Sequence, residues 1–456
     1  MHDLLIHVLN LLQRGGALAI GVVIGCLIAI LILRLITRKK SESFPWKRLM
    51  LGAVFAAYLV VVAAGTLLRY GSGGRLNLRP FVEFIEAWNS MSFSLWMNII
   101  LNIAMFVPAG ILLPTVFPRL GKWYKTLAAG AVMSLIIEIS QLIMKKGAAD
   151  VDDLLTNILG CMVGYSLLEA FMSLRKKEKR WFIPLACPLS LVIIALGVFG
   201  VYELKEFGNI KYLPAFRADT RGIEWSFGFT PDENGSEFMV CKAETLTKED
   251  AESFAKEVAE KLGAEFDETY YYDGEIWFMD RTAKERDPLM LKISYPEGYY
   301  ELGMIAFEGA KITLPKAEVI EKLKDWGIDL PESVDCEFED GVCTLKADMI
   351  ESDGNYIDGS VRVLFKEDGS IAKIRSSISV LKPYKNISVV SESEACKRLE
   401  RGIFSNGWAF GYERPESIEA VSVELVGRLD SKGFCRPLYL FQLKGAATPA
   451  VFVPAE

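Results

Sequence analysis

Apolar positions over the first 200 residues come in long runs, and over the remainder in short alternations with polar ones. A helix that crosses a bilayer needs about 20 consecutive apolar residues. Six runs reach that length, near 17–36, 48–68, 97–117, 124–144, 153–173 and 182–201. The fourth and fifth carry Glu138 and Asn157 in their interiors. The first lacks a short apolar core with a small-residue cleavage site, so it reads as an anchor. Past residue 201 the period changes. TKEDAESFAKEVAEKLGAEF (247–266) predicts an amphipathic helix opened by a Thr247–Asp250 capping box. KAEVIEKLKDWGIDLP (316–331) predicts a second, stopped by Gly327 and Pro331, and SESEACKRLERGIF (391–404) a third. Alternating strands lie between them, with turns at Asp340-Gly341 and Asp368-Gly369. The expected fold class is an all-α polytopic membrane domain of about six transmembrane helices, followed by an α+β extracytoplasmic domain. The expected domains are 1–201, 202–310 and 311–456. The recurring order of helix then hairpin predicts two or three related small units in the second half.

Charge divides the chain at the same place. Residues 1–201 hold 20 Lys and Arg against 10 Asp and Glu, while the remainder holds 31 against 48. An acidic water-facing half argues against nucleic acid as a partner. His2 and His7 are the only histidines, so the second half has neither a His-based triad nor a His-ligated metal. No metal site and no cofactor is expected. Of the eight cysteines no two have CxxC spacing. Cys336 and Cys343 flank the Asp340-Gly341 turn on one hairpin face, where a disulfide and two free thiols both remain open. The Tyr270–Tyr272 run with Trp277 and Phe278 reads as a strand pair.

Lysine and arginine in short loops set orientation. The loops after spans one, three and five hold 14, from Arg34 to Arg180, and the other side holds six: Arg14, Arg69, Arg75, Arg79, Lys145 and Lys146. The richer side is cytoplasmic, so the N-terminus and the second half are expected outside. The stretch Phe81–Trp96 reads either as a short helix in the outer interface or as a loop ending in a Trp anchor.

Polar residues inside the spans then fall at one level. Ser134, Glu138 and Gln141 share a helix face by their spacings of 4 and 3. Asp153, Asn157, Gly160 and Gly164 share another, and the last two form a GxxxG that permits close helix approach. Asn98 and Asn102 sit a turn apart on span three, and Asn77 and Arg79 lie in the adjoining loop. Asn or Gln alone reads as helix-to-helix glue. A carboxylate inside a membrane costs roughly 2.5 kcal/mol or more and is read first as functional. Glu138, Asp152 and Asp153 are therefore the candidate catalytic groups. Asn77, Arg79, Asn98, Asn102, Gln141, Lys145, Lys146 and Asn157 are the candidate substrate-binding groups. Arg75, Arg79, Lys145 and Lys146 are placed to hold phosphate, and burial would move a carboxyl towards general acid–base duty.

Four pieces, NLRPF (77–81), LNIAMFVPAGILLP (101–114), SLIIEISQ (134–141) and DVDDLLTNILGCMVGY (150–165), together resemble the VanZ-like membrane family over about residues 50–175. The family's recurrent polar residues fall here on Asn77, Asn102, Glu138, Gln141, Asp152, Asp153 and Asn157. Where members often carry Arg ahead of the DxDD run, this chain has Lys145, Lys146 and Gly147; a Lys supplies charge but no bidentate fork. The resemblance implies an envelope protein linked to low-level teicoplanin resistance that acts on lipid head groups or lipid-linked wall precursors. Residues of about 310–455 resemble PepSY-like and YycH/YycI-type extracytoplasmic modules, which bind or inhibit. Two function classes follow. One is an enzyme acting on a membrane lipid or lipid-linked envelope precursor. The other is a non-catalytic lipid- or glycopeptide-binding or regulatory protein whose outer domain contacts a protein partner. Transport is disfavoured, because transporter sites lie near the bilayer midplane.

Overall fold

The computed structural model describes residues 46–67, 76–145, 149–280 except 245, 263 and 273, 288–304 except 296 and 297, 310–352 except 311, 327 and 329, 354–405 and 415–456. These form two compact units, residues 46–88 with 92–205 and residues 89–91 with 206–456.

The first unit is helical: α1 (Trp46–Leu67), α2 (Val82–Ser90), α3 (Phe93–Val116), α4 (Trp123–Met144), α5 (Val151–Arg175) and α6 (Ala186–Leu204), with two short strands, β1 (Leu76–Asn77) and β2 (Ala149–Asp150). Five helices are long and apolar enough to cross a membrane, over 48–66, 93–116, 123–144, 151–175 and 183–204. The expected first span, near 17–36, lies outside the described residues. The third begins earlier than the apolar run, because Ser92 caps α3 by accepting from Leu95 N at 3.4 Å.

These helices are polar inside and apolar outside. On α4 the buried positions are Thr126, Gly130, Ser134, Glu138 and Gln141. Its exposed positions include Ile136, Ile139 and Ile143, the last 75% exposed. Lipid solvates the apolar face and leaves the polar stripe to find partners within the protein. Glycine brings α3 and α5 together: a Cβ on Gly160 would overlap the Ile103 carbonyl oxygen, one on Gly164 that of Val107, and one on Gly110 that of Cys161. The expected close approach at Gly160 and Gly164 is thus backbone against backbone.

The second unit is a mixed sheet with three helices. Its strands are β3 (Glu224–Phe227), β4 (Ser236–Ala243), β5 (Glu268–Tyr272), β6 (Glu275–Asp280), β7 (Leu289–Ser294), β8 (Tyr299–Met304), β9 (Asp335–Glu339), β10 (Val342–Ser352), β11 (Asn355–Phe365), β12 (Ile371–Ser376), β13 (Ser379–Val389), β14 (Ser417–Leu429), β15 (Phe434–Lys444) and β16 (Ala450–Pro454). The order is β3-β14-β15-β4-β13-β11-β12-β8-β7-β6-β5, with β10 and β9 branching from β11 and β16 from β15. Its helices are α7 (Lys248–Leu262), α8 (Lys316–Lys324) and α9 (Glu392–Glu400). Each covers its own apolar cluster. Ala251, Ala255 and Val258 of α7 meet Ile276, Leu291 and Ile293. Val319 and Leu323 of α8 meet Leu345, Val363 and Phe365. Ala395 and Leu399 of α9 meet Phe441 and Val451. The expected recurrence of helix then hairpin is therefore three local cores on one sheet.

Local chemistry in this unit follows the sequence closely. Thr247 N donates to Asp250 Oδ2 at 2.9 Å and Asp250 N to Thr247 Oγ1 at 3.1 Å, the reciprocal capping box. Asp340 (φ 49°) and Gly341 (φ 82°) form a two-residue hairpin with both φ positive, which a β-hairpin's twist prefers. Cys336 and Cys343 are free thiols with Sγ atoms 3.6 Å apart. Tyr270 and Tyr271 pair with Trp277 and Ile276 in the expected hairpin.

Candidate functional site

One end of the helical unit collects the end of α1, the β1 strand, α2, the first turns of α3, the last turns of α4 and the start of α5. The run DVDD builds its centre. Asp150 is the N-cap of α5, its Oδ1 accepting from Asp152 N at 2.8 Å, while Asp152 and Asp153 occupy the first turn, where the helix dipole favours negative charge. The same Asp150 accepts Asn77 Nδ2 on Oδ2 at 3.0 Å and donates its N–H to Glu138 Oε2 at 3.1 Å. Parallel pairing of Asn77 with Asp150 fastens the two loops side by side.

Asp152, fully buried, reaches a different element. Its Oδ1 accepts from Phe81 N at 2.5 Å and its Oδ2 from Glu83 N at 2.9 Å. It therefore caps α2 from another helix, and it holds Phe81 at φ 68°, a conformation that side chains other than glycine seldom adopt. Asp153 accepts from Asn102 Nδ2 of α3. One turn further in, Asn157 Nδ2 donates to Ser134 Oγ at 2.9 Å, and Gln141 Nε2 donates to the Thr66 carbonyl at 3.3 Å. Thr156 Oγ1 returns to the Asp152 carbonyl at 2.9 Å.

Of the residues singled out from the sequence, Asn77, Asn102, Glu138, Gln141, Asp152, Asp153 and Asn157 are joined into this hydrogen-bonded end. Asn98 is half-buried one turn before Asn102, and no side-chain hydrogen bond among the described residues connects it to the carboxylates. Arg79 is exposed, and its backbone N–H donates to Asn77 Oδ1 at 3.0 Å. Lys145 is exposed in the left-handed conformation that ends α4. Lys146 and Arg75 lie outside the described residues.

Two further residues belong to the site. Asp150 links α4, α5 and β1, and its place at the head of an acidic first turn was the visible sign. Glu83 on α2 gave no periodic signal. Its Oε2 is buried without a hydrogen-bond partner. Burial first, then the charges of Asp153, Asp150, Asp152 and Glu86, push its carboxyl up to about 8 from the ordinary 4.5. Gln141 Oε1 and Asn157 Oδ1 are likewise buried without partners. Among the described residues no group of three or more His, Cys, Asp or Glu is arranged to hold a metal ion.

Residues 52–172, which contain this whole arrangement, match the VanZ/LLP1 family. Over these residues the chain is similar to that family. Over 107 residues the chain is 33% identical to "Protein VanZ" of Enterococcus faecium, a match that covers 23% of this chain and 60% of that protein's length. The chain thus spans less than two thirds of the curated relative it matches. No solved structure matches. The VanZ-like region ends at the last turn of α5, so α6 and the sheet unit lie beyond it.

Proposed function

We propose that this VanZ-like multi-pass membrane protein receives a phospholipid or lipid-linked head group at the carboxylate end of its helices. Through that step it would influence susceptibility to glycopeptides of the teicoplanin class. The observation that carries the reading is Glu138, a carboxylate 6% exposed within a membrane-spanning helix and bonded to the Asp150 backbone. Such a group is costly to insert, and its default reading is a functional site. In this reading Glu138 and Asp153 face the ligand, Asp150 and Asp152 shape the pocket by holding backbone N–H groups, and Arg79 and Lys145 take phosphate at the rim. The loop charge asymmetry supports an outside position for this end, the N-terminus and the sheet unit.

A second reading has an observation of its own. Asp150 and Asp152 spend their oxygens on capping and strand pairing. That economy of reactive groups suits a protein that holds a lipid or glycopeptide without transforming it. Its sheet unit would then act as a binding or inhibitory module for a protein partner, as the PepSY-like resemblance implies. Glu138→Gln separates the two, since it keeps shape and removes the titratable group. Envelope lipid composition and teicoplanin susceptibility are compared between cells with the native chain, the variant and no protein. The enzyme reading expects the variant to match the deletion in both. Unchanged lipids and susceptibility in the variant would leave only the binding reading. Cysteine-accessibility labelling at Arg79→Cys from outside intact cells tests the orientation; protection there, with labelling only after lysis, reverses it.

A further inference from the structure

The sheet unit holds five cysteines, Cys241, Cys336, Cys343, Cys396 and Cys435. Four of them are buried, and Cys336 is half-buried. It lies on β9, which among the described residues pairs with β10 alone. Across the hairpin Cys336 faces Leu345 and Cys343 faces Phe338, so the two cysteines are diagonal neighbours on one face. Both join the apolar cluster that α8 covers, and their Sγ atoms lie 3.6 Å apart. That is van der Waals contact between two sulfurs, whereas a covalent bond needs about 2.05 Å. An edge strand held on one side can move to close such a gap.

Access and acidity give the two thiols different parts. Burial first, then the hydrogen bond and charge of Cys336, push the Cys343 thiol well above its ordinary value. Little of it is thiolate at neutral pH, and only a thiolate attacks a disulfide. Cys336 reaches water and meets a dissolved disulfide first. Cys343, in contact with it, is placed to displace the mixed disulfide that results. Contact supplies the effective concentration that its weak acidity lacks. Cys241 and Cys435 also face each other, in register on β4 and β15, but both are buried and offer no entry from water.

We propose that Cys336 and Cys343 form a reversible thiol–disulfide pair, oxidised by exchange with a small disulfide of the glutathione class. First the Cys336 thiolate bonds to one glutathione sulfur, and the other glutathione leaves as a thiolate. Then Cys343 gives up its proton, bonds to Cys336 Sγ and expels the second glutathione. Two protein thiols become one disulfide, and one glutathione disulfide becomes two thiols. A bond between diagonal positions is strained, so reduced glutathione reopens it. Closed, it fastens β9 to β10 at the edge of the sheet. The pair is independent of the head-group reading above.

The test uses the full chain, purified under reductant, moved into glutathione buffers and quenched with maleimide. One tryptic peptide, residues 325–346, carries both cysteines, because no Lys or Arg lies between Lys324 and Lys346. In glutathione disulfide it should lose two hydrogens and take up no maleimide; in excess reduced glutathione it should take up two. Cys343→Ala should stop the exchange at a stable glutathione adduct on Cys336. Cys336→Ala should leave Cys343 reacting at least about tenfold more slowly than Cys336 does. In the unsubstituted chain, hydrogen exchange at residues 335–339 should slow about tenfold on oxidation; unchanged exchange overturns the fastening of β9. Two maleimides on the peptide after glutathione disulfide overturn the pair. So does a glutathione adduct on Cys336 that persists with Cys343 in place. A bond that reduced glutathione fails to open overturns its reversibility.

Discussion

Two glutamates, Glu301 buried and Glu83 half-buried, meet charge in different ways. Glu301, on β8 of the sheet unit, lies 2.5 Å from Lys373 Nζ and 3.0 Å from Arg375 Nε. Burial pushes its carboxyl up, but hydrogen bonds from Lys373 and Arg375 outweigh that and hold it below its ordinary value. Glu83, in the helical unit, meets burial and then other carboxylates, and is driven up to about 8. Glu301 is compensated by two cations on the neighbouring strand. Glu83 keeps a buried oxygen with no hydrogen-bond donor. The same contrast extends to cohesion. Three apolar clusters hold the sheet to its helices. Lipid removes the hydrophobic incentive between membrane helices, so the helical unit relies on glycine contacts and side-chain hydrogen bonds.

The sharpest way to break this comparison is at the glycines. Gly160→Val or Gly164→Val sets side-chain atoms against the carbonyl oxygens of Ile103 or Val107. Backbone cannot yield there, so a loss above about 3 kcal/mol is expected. Size-exclusion after detergent extraction should show no monodisperse protein; a normal profile would refute the close approach. Phe365→Ala, at a fully buried position under α8, should cost about 3–5 kcal/mol in the sheet unit. Calorimetry of the full chain should show one transition shifted and the other in place.

The paired glutamates come next, and their signs differ. The contribution of Glu301 is present above the ordinary 4.5 and is lost as pH falls through its lower folded value. Glu301→Gln should therefore cost about 2–3 kcal/mol at neutral pH and progressively less in acid. The contribution of Glu83 is fully present below 4.5 and is lost as pH rises through about 8. Glu83→Gln should flatten that loss and leave the variant the more stable one above pH 8 or so. Thermal midpoints from pH 4 to 9 read both, and parallel profiles would erase the contrast. The smallest effect is expected at Asp152. Asp152→Ala deprives Phe81 and Glu83 of their acceptor, for about 1–2 kcal/mol, and hydrogen exchange should rise at residues 81–84 before anywhere else.

Much of the helical unit was legible from period alone. The spacings of Ser134, Glu138 and Gln141 and of Asp153 and Asn157 placed them on facing stripes, and Asn157 does bond Ser134. Glu138 is bonded by the Asp150 N–H, 12 residues on in the chain. Asp152 stood out as a charge near a membrane and turned out to cap a helix that lies 69 residues away in sequence. Glu83 leaves no sign in the sequence, because two acids on a nine-residue helix set up no longer pattern.

The amino-acid sequence by itself determined the two kinds of region, the membrane spans, the glycine seam, the helix caps and the hairpin turns. Each of these depends on neighbours within a turn or two, where periodicity and local hydrogen bonding suffice. Only the tertiary structure decided which carboxylate holds backbone and which oxygens are left unpaired. Those outcomes depend on contacts between residues far apart in the chain, and no local spacing records which N–H a carboxylate will meet.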